Sequence, residues 1–131
     1  MRLLLDTHIF LWGLLEPERL TANVVSEIES SSNEIWLSPI SLWETLVLAE
    51  KGRVVLAPDS IAWLRHVLRT VSFKEAHLNH EIAVQSRIIE LAHQDPADRF
   101  LAATALVYNL TLVTADARLL ASKQIATLAN I

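Results

Sequence analysis

Asp6, Glu44, Asp98 and Asp116 are spread over almost the whole chain, and each sits against an apolar run instead of on an obviously solvated face. Asp6 follows Arg2-Leu3-Leu4-Leu5 and precedes Thr7-His8-Ile9-Phe10-Leu11-Trp12. Glu44 lies within Ile40-Ser41-Leu42-Trp43-Glu44-Thr45-Leu46-Val47-Leu48, where helical spacing puts Ile40, Val47 and Leu48 on its own face. Taking even an uncharged polar group into apolar surroundings costs roughly 2–7 kcal/mol unless something compensates. Carboxylates placed this way are usually paired or bound to a metal.

Each acid also has a plain structural reading. Asp116 can cap a helix, as can Asp6 after the first apolar run, and Asp95 followed by Pro96 is a good N-cap and first-turn pair. Asp98 then falls in the first helical turn, where the helix dipole favours an anion. Glu44 has no such role. The acids gain meaning by converging: two at strand ends, one in a helical stripe and one in a first turn can meet at one end of a sheet. Carboxylates packed together repel and partly protonate unless cations share the site. Hard divalent ions with oxygen ligands, Mg²⁺ or Mn²⁺, suit such a set, and phosphodiester hydrolysis is the chemistry it supports.

The elements that would position these acids alternate. Leu3–Leu5 reads as a strand buried on both faces, and a helical pattern runs from about Ile9 to Leu15 and stops near Pro17. Thr21 caps a second helix through Val24, Val25 and Ile28, ended by Ser30-Ser31-Ser32-Asn33. Glu34–Leu37 reads as a strand, Ser38-Pro39 opens the helix carrying Glu44, and Gly52 ends it. A helix follows Asp59, then a short strand over Thr70–Phe73 and a long helical pattern from Glu75 to His93. The helix opened by Asp95-Pro96 runs over 97–108, strand 110–114 follows, Asp116 begins another helix, and the tail 125–131 supplies an edge strand. This alternation predicts one α/β domain over residues 1–131, with a mainly parallel sheet and helices on both faces. Ligands in such sheets bind beyond the carboxyl ends of the strands, where strand order reverses, and Asp6 and Asp116 both follow strand ends.

Composition narrows the class. The 131 residues suffice for a core of their own. Although 52% of them are apolar, no uninterrupted apolar stretch approaches the roughly 18–20 residues of a membrane span. The apolar stretch near the N-terminus is broken by Asp6 and His8 and lacks a small-residue cleavage site, so no signal peptide is expected. The absence of cysteine excludes disulfides, thiolate metal sites and a cysteine nucleophile, and fits a cytoplasmic location. The high apolar content suggests a homodimer or a bound partner chain. A net charge of −4 argues against the broad basic footprint of a general nucleic-acid binder. It leaves room for a nuclease, because metal ions can supply the positive charge that meets phosphate.

Four segments occur in order: Leu3-Leu4-Leu5-Asp6-Thr7-His8, Ser38-Pro39-Ile40-Ser41-Leu42-Trp43-Glu44, His93-Gln94-Asp95-Pro96-Ala97-Asp98-Arg99 and Leu112-Val113-Thr114-Ala115-Asp116. Together they resemble the PIN-domain family, of the kind found as VapC-type toxins of bacterial toxin–antitoxin pairs, over residues 3 to about 118. The resemblance implies a three-layer PIN-like fold, an Mg²⁺- or Mn²⁺-dependent endoribonuclease acting on RNA, and inhibition by a small VapB-type antitoxin. By position it makes Asp6, Glu44, Asp98 and Asp116 the catalytic, metal-binding acids, with Asp6 and Asp98 as the core, and Thr7 and Thr114 supporting hydroxyls. Whether Asp95 is more than a cap, and whether one or two metals bind, stays open. The family often has an aromatic residue after Pro96 and a base close behind Glu44; here stand Ala97 and, as the nearest base, Lys51.

Neighbouring residues offer weaker signals. Arg99 stands one residue past Asp98 and could reach a phosphate, and Lys51, Arg53, Arg65 and Arg69 could rim the acidic floor, although each alone reads as a solvated surface charge. His8 and His93 read as hydrogen-bonded structural groups, since Zn²⁺ would want several closely spaced nitrogen ligands. Trp12, Trp36, Trp43 and Trp63 read as core or interface residues, with a base-stacking platform as the alternative. A phosphoacceptor signalling module would need clustered acids near the first strand, an acceptor Asp mid-chain and a Lys after a late strand, none of which is present. A PIN-like binding module without catalysis is the remaining alternative, and the presence of all four acids weighs against it.

Overall fold

The computed structural model describes residues 1–92 and 94–131. Strand β1 (Arg2–Leu5) leads into helix α1 (Thr7–Leu15), a 3₁₀ turn (Pro17–Arg19) and helix α2 (Ala22–Glu29). Strand β2 (Glu34–Leu37) is followed by helices α3 (Pro39–Glu50) and α4 (Ser60–Thr70) and the two-residue strand β3 (Lys74–Glu75). Helices α5 (His80–Ile88) and α6 (Pro96–Tyr108), strand β4 (Thr111–Thr114), helix α7 (Ala117–Leu120) and strand β5 (Ala126–Ala129) complete the order.

The strands lie in the order β3-β2-β1-β4-β5, all parallel, so the chain reverses its direction of growth beside β1. Side chains on a strand alternate between faces, and here both faces are apolar. Leu3, Leu5 and Val113 enter one core with Ile9, Phe10, Val24 and Leu64, while Leu4 and Leu112 enter the other with Leu101, Ala102, Ala105 and Leu119. Helices α1, α2 and α4 therefore cover one face and α6 and α7 the other, the three-layer arrangement expected. Helix α3 straddles the boundary, giving Leu42 and Leu46 to the first core and Ile40 to the second. Among the described residues no helix is long and apolar enough to cross a membrane.

The capping chemistry read from the chain is realised. Thr21, Ser38, Asp59, Asp95 and Asp116 each accept a backbone N–H at the start of a helix. Two expectations are corrected. The strand expected over Thr70–Phe73 is displaced to Lys74–Glu75, because Thr70 completes α4, the Val71 N–H closes that helix onto the Val67 carbonyl, and Phe73 packs on the core. The long helix expected from Glu75 to His93 is only α5, begun by Asn79, whose side chain accepts the Ile82 N–H; His93 itself lies outside the described residues. It ends at Ile89 because Arg99 reaches across from α6 and donates to the Ser86 and Ile89 carbonyls at 2.8 and 2.7 Å.

Candidate active site

Asp6 leaves β1 and caps α1, so its position is set by both the sheet and the helix. Its backbone N–H bonds the Val113 carbonyl of β4 at 3.1 Å, its Oδ1 accepts the Ile9 N–H at 2.9 Å, and its Oδ2 accepts the Thr114 hydroxyl. Only 6% of Asp6 is exposed. Burial pushes its carboxyl above the ordinary value, against the opposing pull of the Thr114 and Ile9 hydrogen bonds and of His8. Thr114 Oγ1 also accepts the Asp116 N–H at 3.1 Å, so one buried hydroxyl spans the two strand-end acids.

Asp116 caps α7 through the Arg118 N–H at 2.8 Å, and the Arg118 guanidinium pairs with its Oδ2 at 3.2 Å. Partial burial works to raise its carboxyl, and the bonds from Arg118 outweigh that and hold it low. Asp98 has the opposite balance. It stands in the first turn of α6, where its N–H donates to Asp95 Oδ1 at 3.3 Å. Burial first, and then the charges of Asp95, Glu44, Asp116 and Asp6, push its carboxyl up to about 7.

These residues line one cavity of about 360 Å³ with Glu44 of α3, together with His8, Trp12 and Asp95. The convergence expected of the four acids is thus present, at the carboxyl ends of β1 and β4. Among the described residues no three acids or imidazoles are gathered tightly enough to ligate one ion as they stand. The donors facing the cavity are mostly carboxylate oxygens, with His8 an imidazole in the wall and Arg118 the permanent cation among the described lining residues. An anionic set dominated by carboxylate oxygens fits a hard divalent ion.

Several expectations about supporting residues change. Arg99 cannot serve a phosphate: it is 5% exposed and its guanidinium is spent on the α5 carbonyls. Thr7 lines the cavity, but its hydroxyl donates to Ser41 Oγ at 3.2 Å, which ties the start of α1 to the helix carrying Glu44. His8, expected as a hydrogen-bonded structural group, is exposed in the wall of the cavity, with its ring 5.7 Å from Trp12. Arg65 and Arg69 sit exposed on α4 and line no part of this cavity, whereas Arg53 lines the concavities on either side of α3. Two residues escaped the reading of the chain. Arg118 was signalled only by standing two places after a capping aspartate, and Ser41 carried no signal because its partner lies far away in sequence.

The PIN domain family matches residues 3–124. The chain belongs to the PIN-domain family. Among PIN-domain relatives, Ribonuclease VapC22 of Mycobacterium tuberculosis (strain ATCC 25618 / H37Rv) is 35% identical over 119 residues, covering 88% of each chain. The fold is similar to that in the DNA-bound VapBC of Salmonella typhimurium, with a TM-score of 0.72, 21% identity and coverage of 100% of this chain and 99% of that one. It is also similar to VapBC2 of Rickettsia felis bound to a promoter DNA fragment, with a TM-score of 0.72, 16% identity and 98% of both chains covered.

Proposed function

We propose that the chain is a VapC-type endoribonuclease, the toxin of a toxin–antitoxin pair, which hydrolyses RNA with Mg²⁺ or Mn²⁺ and is held inactive by a small VapB-type antitoxin. The observation that carries this reading is the meeting of Asp6, Glu44, Asp98 and Asp116 around one cavity, with Asp98 pushed up to about 7 by burial and by the acids facing it. The likeness to a ribonuclease over 88% of the chain supports it. The working protein is a homodimer in the cytoplasm.

Asp6 and Asp98 are the principal ligands, with Glu44 and Asp116 completing the set. A divalent ion held by these residues would supply positive charge to meet the scissile phosphate and would favour ionisation of the attacking water near neutral pH. The protein's share is placement. The Ile9 N–H and the Thr114 hydroxyl fix both oxygens of Asp6, Arg118 keeps Asp116 ionised, and the Thr7–Ser41 bond registers α3 against α1. Fixed orientation of this kind removes the reorganisation that the reaction would otherwise require.

RNA cleavage assayed with Mg²⁺, with Mn²⁺ and with EDTA tests the proposal. Activity appears with either ion and vanishes with the chelator; cleavage that persists in EDTA sinks the metal assignment. Toxicity on expression, relieved by a co-expressed neighbouring small protein, tests the antitoxin. Thr114→Val provides a finer check, because it removes the donor to Asp6 and the acceptor of the Asp116 N–H together. Loss of a partner that orients a ligand costs about 10–100-fold in metal affinity or activity, and leaving buried polar groups unmatched costs about 1–3 kcal/mol. Manganese titration and thermal unfolding of this variant, beside Thr114→Ser as the conservative control, read both effects.

A further inference from the structure

The four tryptophans are not equivalent. Trp12 packs against His8 and under Arg19, Trp36 lies against Tyr108 and Arg2, and Trp63 meets the edge of Phe10. Trp43 is 56% exposed, and among the described residues no ring or cation covers it. A large aromatic surface left in water forgoes the stabilisation its burial would bring. Trp43 is therefore not a core residue of this chain.

Its surroundings are specific. Trp43 lines a concavity of about 260 Å³ that shares Glu44 and Asp95 with the acidic cavity and is walled opposite by Pro96 and Ala97. The far end carries Lys51 and Arg53. Arg53 is placed there by the way α3 stops: Gly52 adopts φ +70°, its N–H bonds the Ala49 carbonyl at 3.0 Å, and the Arg53 N–H bonds the Leu48 carbonyl at 2.9 Å. That is the left-handed helix ending for which glycine is suited. Lys51 and Arg53 are exposed, and among the described residues neither is held in an ion pair.

Trp43 and Glu44 stand side by side at one level of α3, and Lys51 lies about 10 Å further along it, so the concavity offers carboxylates and an open indole at one end and two cations at the other. A single nucleic-acid strand presents a group for each. With its scissile phosphate at the acids, the next base meets an aromatic face and the next phosphate meets positive charge. The small side chain of Ala97 leaves the groove open beside the indole.

We propose that Trp43, Lys51 and Arg53 form a subsite for the nucleotide beside the scissile phosphate of single-stranded RNA, with its base stacked on Trp43 and its phosphate held by Lys51 and Arg53. This rests on the nuclease reading of the adjoining cavity. The test uses a fluorophore-labelled single-stranded oligoribonucleotide and the full-length Asp6→Asn protein, in which binding is read without turnover. In that background Trp43→Ala weakens binding about tenfold, Trp43→Phe restores most of it, and Lys51→Ala/Arg53→Ala lowers the slope of log affinity against log salt by about 0.7, the value for one phosphate on a single strand. In the otherwise unchanged enzyme Trp43→Ala raises KM while kcat holds.

Unaltered binding in Trp43→Ala overturns the subsite. So does a loss of binding that follows a change from dimer to monomer by light scattering, since the indole is then a contact between subunits. If the parent cleaves RNA and only the Trp43 and Arg53 effects are missing, the subsite alone falls. If the parent neither cleaves nor binds, the nuclease reading falls with it.

Discussion

Asp6→Asn is expected to give a folded protein whose RNA cleavage is slower by about three orders of magnitude or more. Metal-assisted stabilisation of a phosphoryl transition state is worth several kcal/mol, and each 1.36 kcal/mol is a factor of about ten in rate. The substitution removes a formal charge from the centre of the proposed ligand set while keeping the shape of the side chain. An Asn carbonyl oxygen can still accept the Ile9 N–H that starts α1, and the Thr114 hydroxyl can turn to suit an amide. Burial opposes the charge of Asp6 in the native state, so its removal does not destabilise the fold through electrostatics. Circular dichroism and thermal unfolding check the first half of the expectation, and single-turnover cleavage checks the second. Cleavage within tenfold of the parent would remove Asp6 from the mechanism.

Asp98→Asn should separate function from stability more sharply. The variant loses cleavage, yet the metal-free protein becomes more stable above neutral pH. Asp98 moves from 3.8 to about 7 on folding because burial and four neighbouring acids oppose its ionisation. The native state therefore binds the proton more tightly than the unfolded chain. The cost of ionising Asp98 is absent below about pH 4, grows as pH rises through the interval to 7, and is complete above it. Asp98 is only partly buried and its neighbours are screened by solvent, so the usable gain is about 1–2 kcal/mol, less than the full shift implies. For a chain of this size that amounts to about 3–8 °C in the unfolding midpoint. Unfolding measured in chelator at pH 5 and pH 8 should show a small difference between variant and parent at pH 5 and a larger one at pH 8. Added Mn²⁺ should stabilise the parent more than the variant, since binding to the native state adds stability in proportion to its affinity. A parent more stable than Asp98→Asn at pH 8 without metal would show that the acids do not repel as their placement implies. A site that weakens its own fold in order to hold a ligand is a common trade between stability and activity.

The same pair of residues shows why Glu44 was the hardest acid to explain from its neighbours in sequence. Asp6, Asp98 and Asp116 each do two things, starting a helix or standing in its first turn while facing the cavity. Glu44 takes no cap, and its place in the cavity follows from α3 crossing the boundary between the two cores. The capping residues and strand cores could be read because their physics is local: Ser38-Pro39 opens a helix wherever it falls, and Leu3-Leu4-Leu5 suits a doubly covered strand in any parallel sheet. The two misplaced elements, the strand near Phe73 and the helix after Glu75, depend on contacts from elsewhere. Nothing between 75 and 93 announces that Arg99 will take the carbonyls at the end of α5.

Local chemistry along the chain was thus enough to establish an alternating α/β order, the helix starts, and four acids set against apolar runs, because propensity, capping and hydrophobic alternation act over a few residues. Association decided the rest. Pairing of β1 with β4 brings Asp6 within reach of Thr114 and Asp116 across more than a hundred residues of sequence. It also turns Arg99 inward, Arg118 toward the acids and Trp43 outward. The directions of those side chains are set by which surfaces are left over once both faces of the sheet are covered, and no window of sequence contains that information.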